Sequence, residues 1–265
     1  MPEKSDRKSV LEALISLSRG LGDPSRDFAL LGEGNTSAKI DEKRFLVKAS
    51  GAQLGQATAD SFVEMLFEPT LAMLKRGRMT DEEIKKGLIA AKADPRAKAH
   101  PSVETTLHAF LLTLPGVNFV GHTHPVSVNA FLCARSGKKV VTGHLFPEEV
   151  VFCGLSPVWV DYHDPGPPLA QAIQKGVLAH VDRYGEAPKS VLLQNHGLIA
   201  MGPTVAEVEA ATLMWDKFAR VVLGTMSFGG PRFLTGKQVA RIVTRPDESC
   251  RVKRLRAERS NDRRT

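Results

Sequence analysis

The chain has 265 residues, 42% hydrophobic and 25% charged, enough apolar side chain for the core of one large domain. Its net charge of +7 is concentrated at the C-terminus, where eight cations from Arg245 to Arg264 face Asp247, Glu248, Glu258 and Asp262. No aromatic residue interleaves those charges, which argues against nucleic acid as a partner, and no apolar run reaches the roughly 20 residues of a membrane span.

Residues from Ser5 to about Arg19 read as an amphipathic helix. Ser5 can cap it, Val10, Leu11, Leu14, Leu17 and Leu21 share one face, and Gly20 and Gly22 stop it. S-A-K-I-D and R-F-L-V-K-A, either side of Asp41-Glu42-Lys43, read as a hairpin. Leu71 to Lys75 and Asp81 to Lys92 look helical, the second capped by Thr80. Ser102 is expected to cap a helix reaching about Leu114, which Pro115-Gly116 ends. Val117 to Val120 then leads as a strand into G-H-T-H-P, and Pro125 opens a helix to about Arg135. Lys139 to Val141, Val150 to Phe152 and Val158 to Tyr162 are strand-like, and Pro168 to Arg183 is helical. Ser190 to Leu193 and Leu198 to Met201 are strands flanking N-H-G, and Thr204 caps a helix to Leu223. The strands and helices do not alternate regularly, so the expected fold is an α/β layered domain with a mixed or mostly antiparallel sheet. Residues 5–230 form the domain, and 231–265 a basic extension whose composition suits disorder.

Three patterns can carry chemistry. In G-H-T-H-P, side chains of an extended segment alternate faces, so His122 and His124 point the same way, about 7 Å apart at Cα. His196, in L-L-Q-N-H-G-L-I-A-M-G, supplies a third imidazole at a tight turn between apolar strands. Three histidines and an open position suit a catalytic zinc or a comparable divalent ion. Each histidine also has an ordinary role open to it, in packing or in bonding a turn. His100, His108, His144, His163 and His180 sit in less constrained surroundings, and most read as bystanders.

Glu104 stands beside the strand of the two histidines. It can serve as an acid/base or simply as a helix N-terminal carboxylate. His108, one turn on, can orient it or merely pack. G-E-G-N-T-S, from Gly32 to Ser37, is a glycine-rich turn but neither a P-loop nor a dinucleotide fingerprint. Its amides and the Asn35 side chain, with Ser50 and Gly51 of A-S-G and with Ser102, can together cradle an anion.

The ordered series G-E-G-N-T-S, K-A-S-G, S-V-E-T-T-L-H, G-H-T-H-P and N-H-G-L-I-A-M-G resembles the class II aldolase/adducin family from about Leu11 to Leu223. The resemblance implies a three-layer α/β/α domain around a mostly antiparallel sheet. It implies a homotetramer with active sites at subunit interfaces, and a divalent ion (Zn2+, or Mn2+ or Co2+) on His122, His124 and His196. Glu104 would be the acid/base. Asn35, Ser50, Gly51 and Ser102 match phosphate-binding positions. Tyr162, in D-Y-H-D-P-G, matches a tyrosine that reaches a neighbouring subunit's site and protonates the leaving aldehyde. Val103 departs from a second serine, and no tyrosine occurs near the C-terminus.

The implied activity is retro-aldol cleavage of a phosphorylated ketose or related anionic hydroxy-carbonyl compound through a metal-stabilised enediolate. A decarboxylase of an oxo or aromatic carboxylic acid is the alternative on the same site. An adducin-like scaffold is a third reading, which the three histidines disfavour. Widely spaced Cys133, Cys153 and Cys250, and a charged N-terminus, make a cytoplasmic setting the expectation.

Overall fold

Two-residue alternation in the strands sets the architecture of the computed structural model, which describes residues 6–245. On the strand Arg44–Lys48, Phe45 and Val47 enter one apolar cluster and Leu46 another; on Ser190–Leu193, Val191 and Leu193 enter the first and Leu192 a third. A strand apolar on both faces must lie between two layers, and that is what forms.

The elements run α1 (Arg7–Leu21), β1 (Asn35–Lys39), β2 (Arg44–Lys48), β3 (Phe62–Leu66), α2 (Phe67–Leu74), α3 (Asp81–Ala90), α4 (Thr105–Leu111), β4 (Phe119–Thr123) and α5 (Val126–Leu132). They continue with α6 (Gly137–Val140), α7 (Pro147–Cys153), β5 (Val158–Val160), α8 (Pro167–Tyr184), β6 (Ser190–Leu193), β7 (Gly197–Gly202), α9 (Val205–Thr225) and α10 (Gly236–Val243). The seven strands order as β3-β2-β1-β4-β7-β6-β5. Every pairing is antiparallel except β5 with β6. The expected three-layer, mostly antiparallel fold is therefore present.

Helices α1 and α9 cover one face. Leu14, Leu17 and Leu21 of α1 are fully buried there, each worth about 1.5–3 kcal/mol on transfer from water. Gly121 of β4 lies beneath this layer; a Cβ there would sit 2.7 Å from Leu21 and 3.0 Å from Val208. Helices α2, α4 and α8 cover the other face, over Phe45, Val47, Val120, Ile199 and Met201. The functional residues point into this second layer.

The hairpin forms as expected, with the Asp41 carboxylate accepting from the N–H groups of Lys43 and Arg44 at its turn. Thr80 caps α3 and Thr204 caps α9. Ser5, the expected cap of α1, lies outside the described residues, and Asp6 stands at the N-cap instead.

Four expectations need correction. Residues 139–141 and 150–152 are not strands: they belong to or end α6 and α7. Pro147 at the helix start, Glu148 and Glu149 in its first turn, and burial of Val150 with Cys153 three residues apart outweigh the β-branched run. β3 has no counterpart among the expected elements. Ser102 is not the cap of α4, because Ser102 to Thr105 forms a turn first: Thr105 N–H donates to Ser102 O at 3.1 Å, and Glu104 takes the N-cap position. The basic extension is not wholly unstructured: α10 packs on α7, capped by Thr235, while residues 246–265, with most of the charge, lie outside the described residues.

Candidate active site

Register alone brings much of the site together. Asn35 of β1 pairs with His122 of β4, and His122 pairs with Ile199 of β7. Ser37 and Asn35 are two apart, so both face the α4 layer beside His122. His124 lies one residue past the end of β4, tied by its N–H to Phe28 O at 2.7 Å. Its Nε2 comes to 3.0 Å from His122 Nε2.

The turn Gln194-Asn195-His196 between β6 and β7 delivers the third imidazole. Asn195 takes φ +53°, a left-handed conformation that asparagine tolerates well. The Asn129 amide donates to His196 O at 3.1 Å and fixes the turn against α5. His196 Nε2 then lies 3.2 Å from His122 Nε2. Gly197 makes the convergence possible: a Cβ there would lie 2.6 Å from both His124 Cδ2 and Thr123 O. The three ligand atoms lie within 4.8 Å of one another.

Protonation decides what such a cluster can hold. His122 Nδ1–H donates to Leu198 O at 3.0 Å, so Nε2 presents a lone pair to its neighbours. Burial, with the other histidines nearby, pushes His122 and His124 down to about 3, so both are neutral at pH 7. Glu104 closes the cluster: Oε1 is 3.4 Å from His196 Nε2, and Oε2 is 3.6 Å from His122 Nε2. Buried Glu104 Oε1 has no hydrogen-bond partner. Neutral imidazoles crowded beside a buried carboxylate leave lone pairs facing one another, and a cation relieves that arrangement. The residues therefore fit a divalent ion held by His122, His124 and His196, with Glu104 alongside.

Asn35 and Ser102 hold Glu104. Asn35 Nδ2 donates to Glu104 Oε2 at 2.7 Å and to Ser102 Oγ at 3.3 Å, and Glu104 N–H also donates to Ser102 Oγ at 3.3 Å. Both amide hydrogens of Asn35 are thus engaged within the chain. Ser50 and Gly51 form a turn at the end of β2; Ser50 N–H is taken by His100 O at 2.8 Å, and Gly51 adopts φ +78°. Tyr162 lies on the exposed connection after β5, away from the histidines in hydrogen bonding. Its hydroxyl donates to Asp164 Oδ1 at 3.1 Å, which pushes its pKa above the usual phenol range.

One buried polar residue was missed in the sequence, and another was placed only in part. Lys48 is only 3% exposed, and its ammonium donates to Ala52 O at 2.5 Å beneath the Ser50-Gly51 turn. Burial lowers its pKa, and the negative charge of Glu104 opposes that. A lysine at the end of the apolar run F-L-V-K-A was the available signal. His108, expected either to orient Glu104 or merely to pack, is fully buried and bonds Asn35 and Ser37, partners that helical spacing did not point to.

The comparisons with known proteins agree with this geometry. The family model described as Class II Aldolase and Adducin N-terminal domain matches residues 12–223. The chain is 33% identical over 205 residues to an uncharacterized oxidoreductase, YuxG, of Bacillus subtilis, matching 73% of this chain but only 27% of that protein. The chain thus spans about a quarter of that relative's length. It is 30% identical over 184 residues to methylthioribulose-1-phosphate dehydratase of Yersinia enterocolitica, covering 66% of this chain and 73% of that one. Among solved structures, the N-terminal class II aldolase domain of a conserved Thermoplasma acidophilum protein superposes with a TM-score of 0.65 at 26% identity, over 83% of this chain and 96% of that one. An L-fuculose 1-phosphate aldolase shares the fold at a TM-score of 0.64 and 15% identity, over 91% and 97% of the two chains. Among the described residues, no helix is long and apolar enough to cross a membrane. The histidine cluster, its carboxylate and the layered sheet that carries them all lie inside the matched segment, and the chain belongs to the class II aldolase/adducin family.

Proposed function

We infer that the chain cleaves a phosphorylated ketose, or a related anionic hydroxy-carbonyl compound, by a retro-aldol reaction. The observation that carries this is the unpartnered Glu104 Oε1 beside three neutral, converging imidazoles. A divalent ion, when bound by His122, His124 and His196, would supply Lewis-acid polarisation of the substrate's carbonyl and adjacent hydroxyl. Zinc fits three imidazoles with an open position.

The chain's own groups do the rest. Glu104 moves the proton at the reacting carbon or oxygen through Oε1, since Oε2 is held by Asn35. Ser50, Gly51 and Ser102 bind the anionic end of the substrate, and the buried charge of Lys48 beneath them favours an anion. Asn35 lines that subsite while orienting Glu104. Tyr162, kept protonated by Asp164, can donate a proton to the leaving aldehyde from the exposed rim. A homotetramer, in which this tyrosine serves a neighbouring subunit, and a cytoplasmic location belong to the same reading. Cys133 and Cys153 are unpaired, in keeping with a reducing setting.

A second reading is dehydration of a phosphorylated ketose, favoured by the relatives named as methylthioribulose-1-phosphate dehydratases at 30% and 27% identity. Both reactions begin beside a polarised carbonyl and differ in the bond broken. Decarboxylation stays the third course, because half-exposed Val103 stands where a second hydroxyl would favour phosphate. The test is a product assay on the metal-loaded protein with fuculose 1-phosphate, methylthioribulose 1-phosphate and a panel of oxo acids. An aldehyde and dihydroxyacetone phosphate support the retro-aldol reading. Loss of water with the carbon chain intact replaces it with dehydration, and carbon dioxide as the sole product replaces it with decarboxylation.

A further inference from the structure

Behind the carboxylate lies a buried chain of polar groups. His108, on the inward face of α4, is fully buried and bonded at both ring nitrogens. Ser37 Oγ lies 2.7 Å from Nδ1, and Asn35 Oδ1 bonds Nε2. Asn35 Nδ2 in turn donates to Glu104 Oε2 at 2.7 Å.

The direction of every bond follows from its last member. An ionised carboxylate only accepts, so Asn35 must turn its NH2 toward Glu104. That leaves Asn35 Oδ1 facing His108, so His108 must carry its proton on Nε2. Nδ1 is then an acceptor, and the Ser37 hydroxyl donates to it. Burial pushes His108 down to about 3, so the ring stays neutral and keeps one acceptor nitrogen. The reverse polarity would aim the Asn35 carbonyl at the carboxylate, two acceptors face to face in a dry site.

We propose that His108 is a positioning residue which, backed by Ser37, locks the Asn35 amide so that Glu104 is gripped by Oε2 and reacts through Oε1. This rests on Glu104 being the acid/base. The arrangement gives the two carboxylate oxygens separate work. Oε2 is spent on a charge-assisted bond, and Oε1 is left bare toward the histidines. Without a donor at position 108, Asn35 Oδ1 loses its buried partner, and only the bond to Glu104 itself still holds the amide in place. Glu104 then loses its fixed rotamer while the three metal ligands stay in place.

The experiment compares His108→Phe, which keeps ring bulk and removes the donor, with His108→Gln, whose amide can again donate to Asn35 Oδ1. Zinc content, KM, and kcat on whichever sugar phosphate the wild type turns over are measured together. The expected result for His108→Phe is full zinc content, KM within about threefold, and kcat lower by about 10–100-fold, the usual size of a supporting-residue effect. His108→Gln recovers most of that loss. Unchanged kcat in His108→Phe, or a loss that His108→Gln does not recover, overturns the proposal.

The tautomer is a second, activity-free readout. Nitrogen-15 NMR of the zinc-loaded wild type should show His108 protonated at Nε2 and bare at Nδ1 between pH 6 and 8. An Nδ1–H tautomer overturns the relay even if His108→Phe fails to fold. Glu104→Gln separates the two claims. Unchanged turnover there sinks the acid/base reading, and the tautomer still decides the relay. Inactive Glu104→Gln beside fully active His108→Phe sinks the relay alone.

Discussion

The two sides of Glu104 are built on opposite terms. On the β1 side every polar group is paired, in one unbroken run from Ser37 through His108 and Asn35 to Oε2. On the β7 side three imidazoles crowd together and Oε1 has no hydrogen-bond partner. Both sides are buried, and both contain histidines pushed down to about 3. Desolvation alone therefore does not mark a reactive site. The difference is completeness: one side is satisfied by the chain, and the other calls for a cation and a substrate.

The largest effect should come from removing a ligand on the incomplete side. His122→Ala should purify without a stoichiometric divalent ion, and turnover should fall to background, as should that of wild type treated with chelator. Metal analysis beside the activity assay checks it; full activity in a metal-free protein would abolish the distinction between the sides. Next comes the carboxylate they share. Glu104→Gln should retain the ion and lose turnover by about 10²-fold or more, a typical acid/base contribution.

Gly197→Ala tests how tightly the incomplete side is held. The added Cβ would meet His124 and the Thr123 carbonyl at 2.6 Å. Metal affinity should fall by about 10–100-fold, comparable to the loss of a supporting contact, as read by competition with a fluorescent chelator. The smallest effect concerns the paired side. His108 has a folded pKa of about 3, below the 6.5 of an exposed histidine. Its contribution to stability is complete above pH 6.5 and is lost as pH falls from there toward 3, at up to about 1.4 kcal/mol per pH unit. His108→Phe should therefore show a shallower decline in stability from pH 6.5 to 5 than wild type, by urea unfolding at each pH. Parallel declines would mean that the ring is not protonated on unfolding in the way described.

Local rules made much of this legible. His122 and His124 are two apart on an extended segment, and two-residue alternation brings their Nε2 atoms to 3.0 Å. Thr80 and Thr204 cap their helices because the hydroxyl-bearing N-cap is a local signal. His108 was legible only as a neighbour of Glu104 one helical turn away, and its actual partners were not, for the opposite reason. Its partners Asn35 and Ser37 lie 73 and 71 residues away, and only the register of β1 against β4 beneath α4 brings them together. Lys48 was missed because a lysine usually means surface, and only the backbone carbonyls of a turn make its burial tolerable. The residues Val150 to Phe152 misled because β-branched side chains suit a strand, while Pro147 and two acids at the helix start favour the alternative. Ser102 misled by one turn, since the chain folds back at Val103 before α4 begins.

The strand order carries a consequence for how the protein breathes. β1, β4 and β7 are adjacent at the middle of the sheet, and they carry or flank Asn35, His122, His124 and His196. Amides there open only with the whole domain, so their hydrogens should exchange with solvent most slowly. Ser50, Gly51 and Tyr162 sit on exposed connections, where exchange is governed by local fluctuation. Mild heating or low denaturant should thus loosen the grip on substrate first and release the ion last, giving an interval in which a loaded centre turns over slowly for want of a well-held substrate.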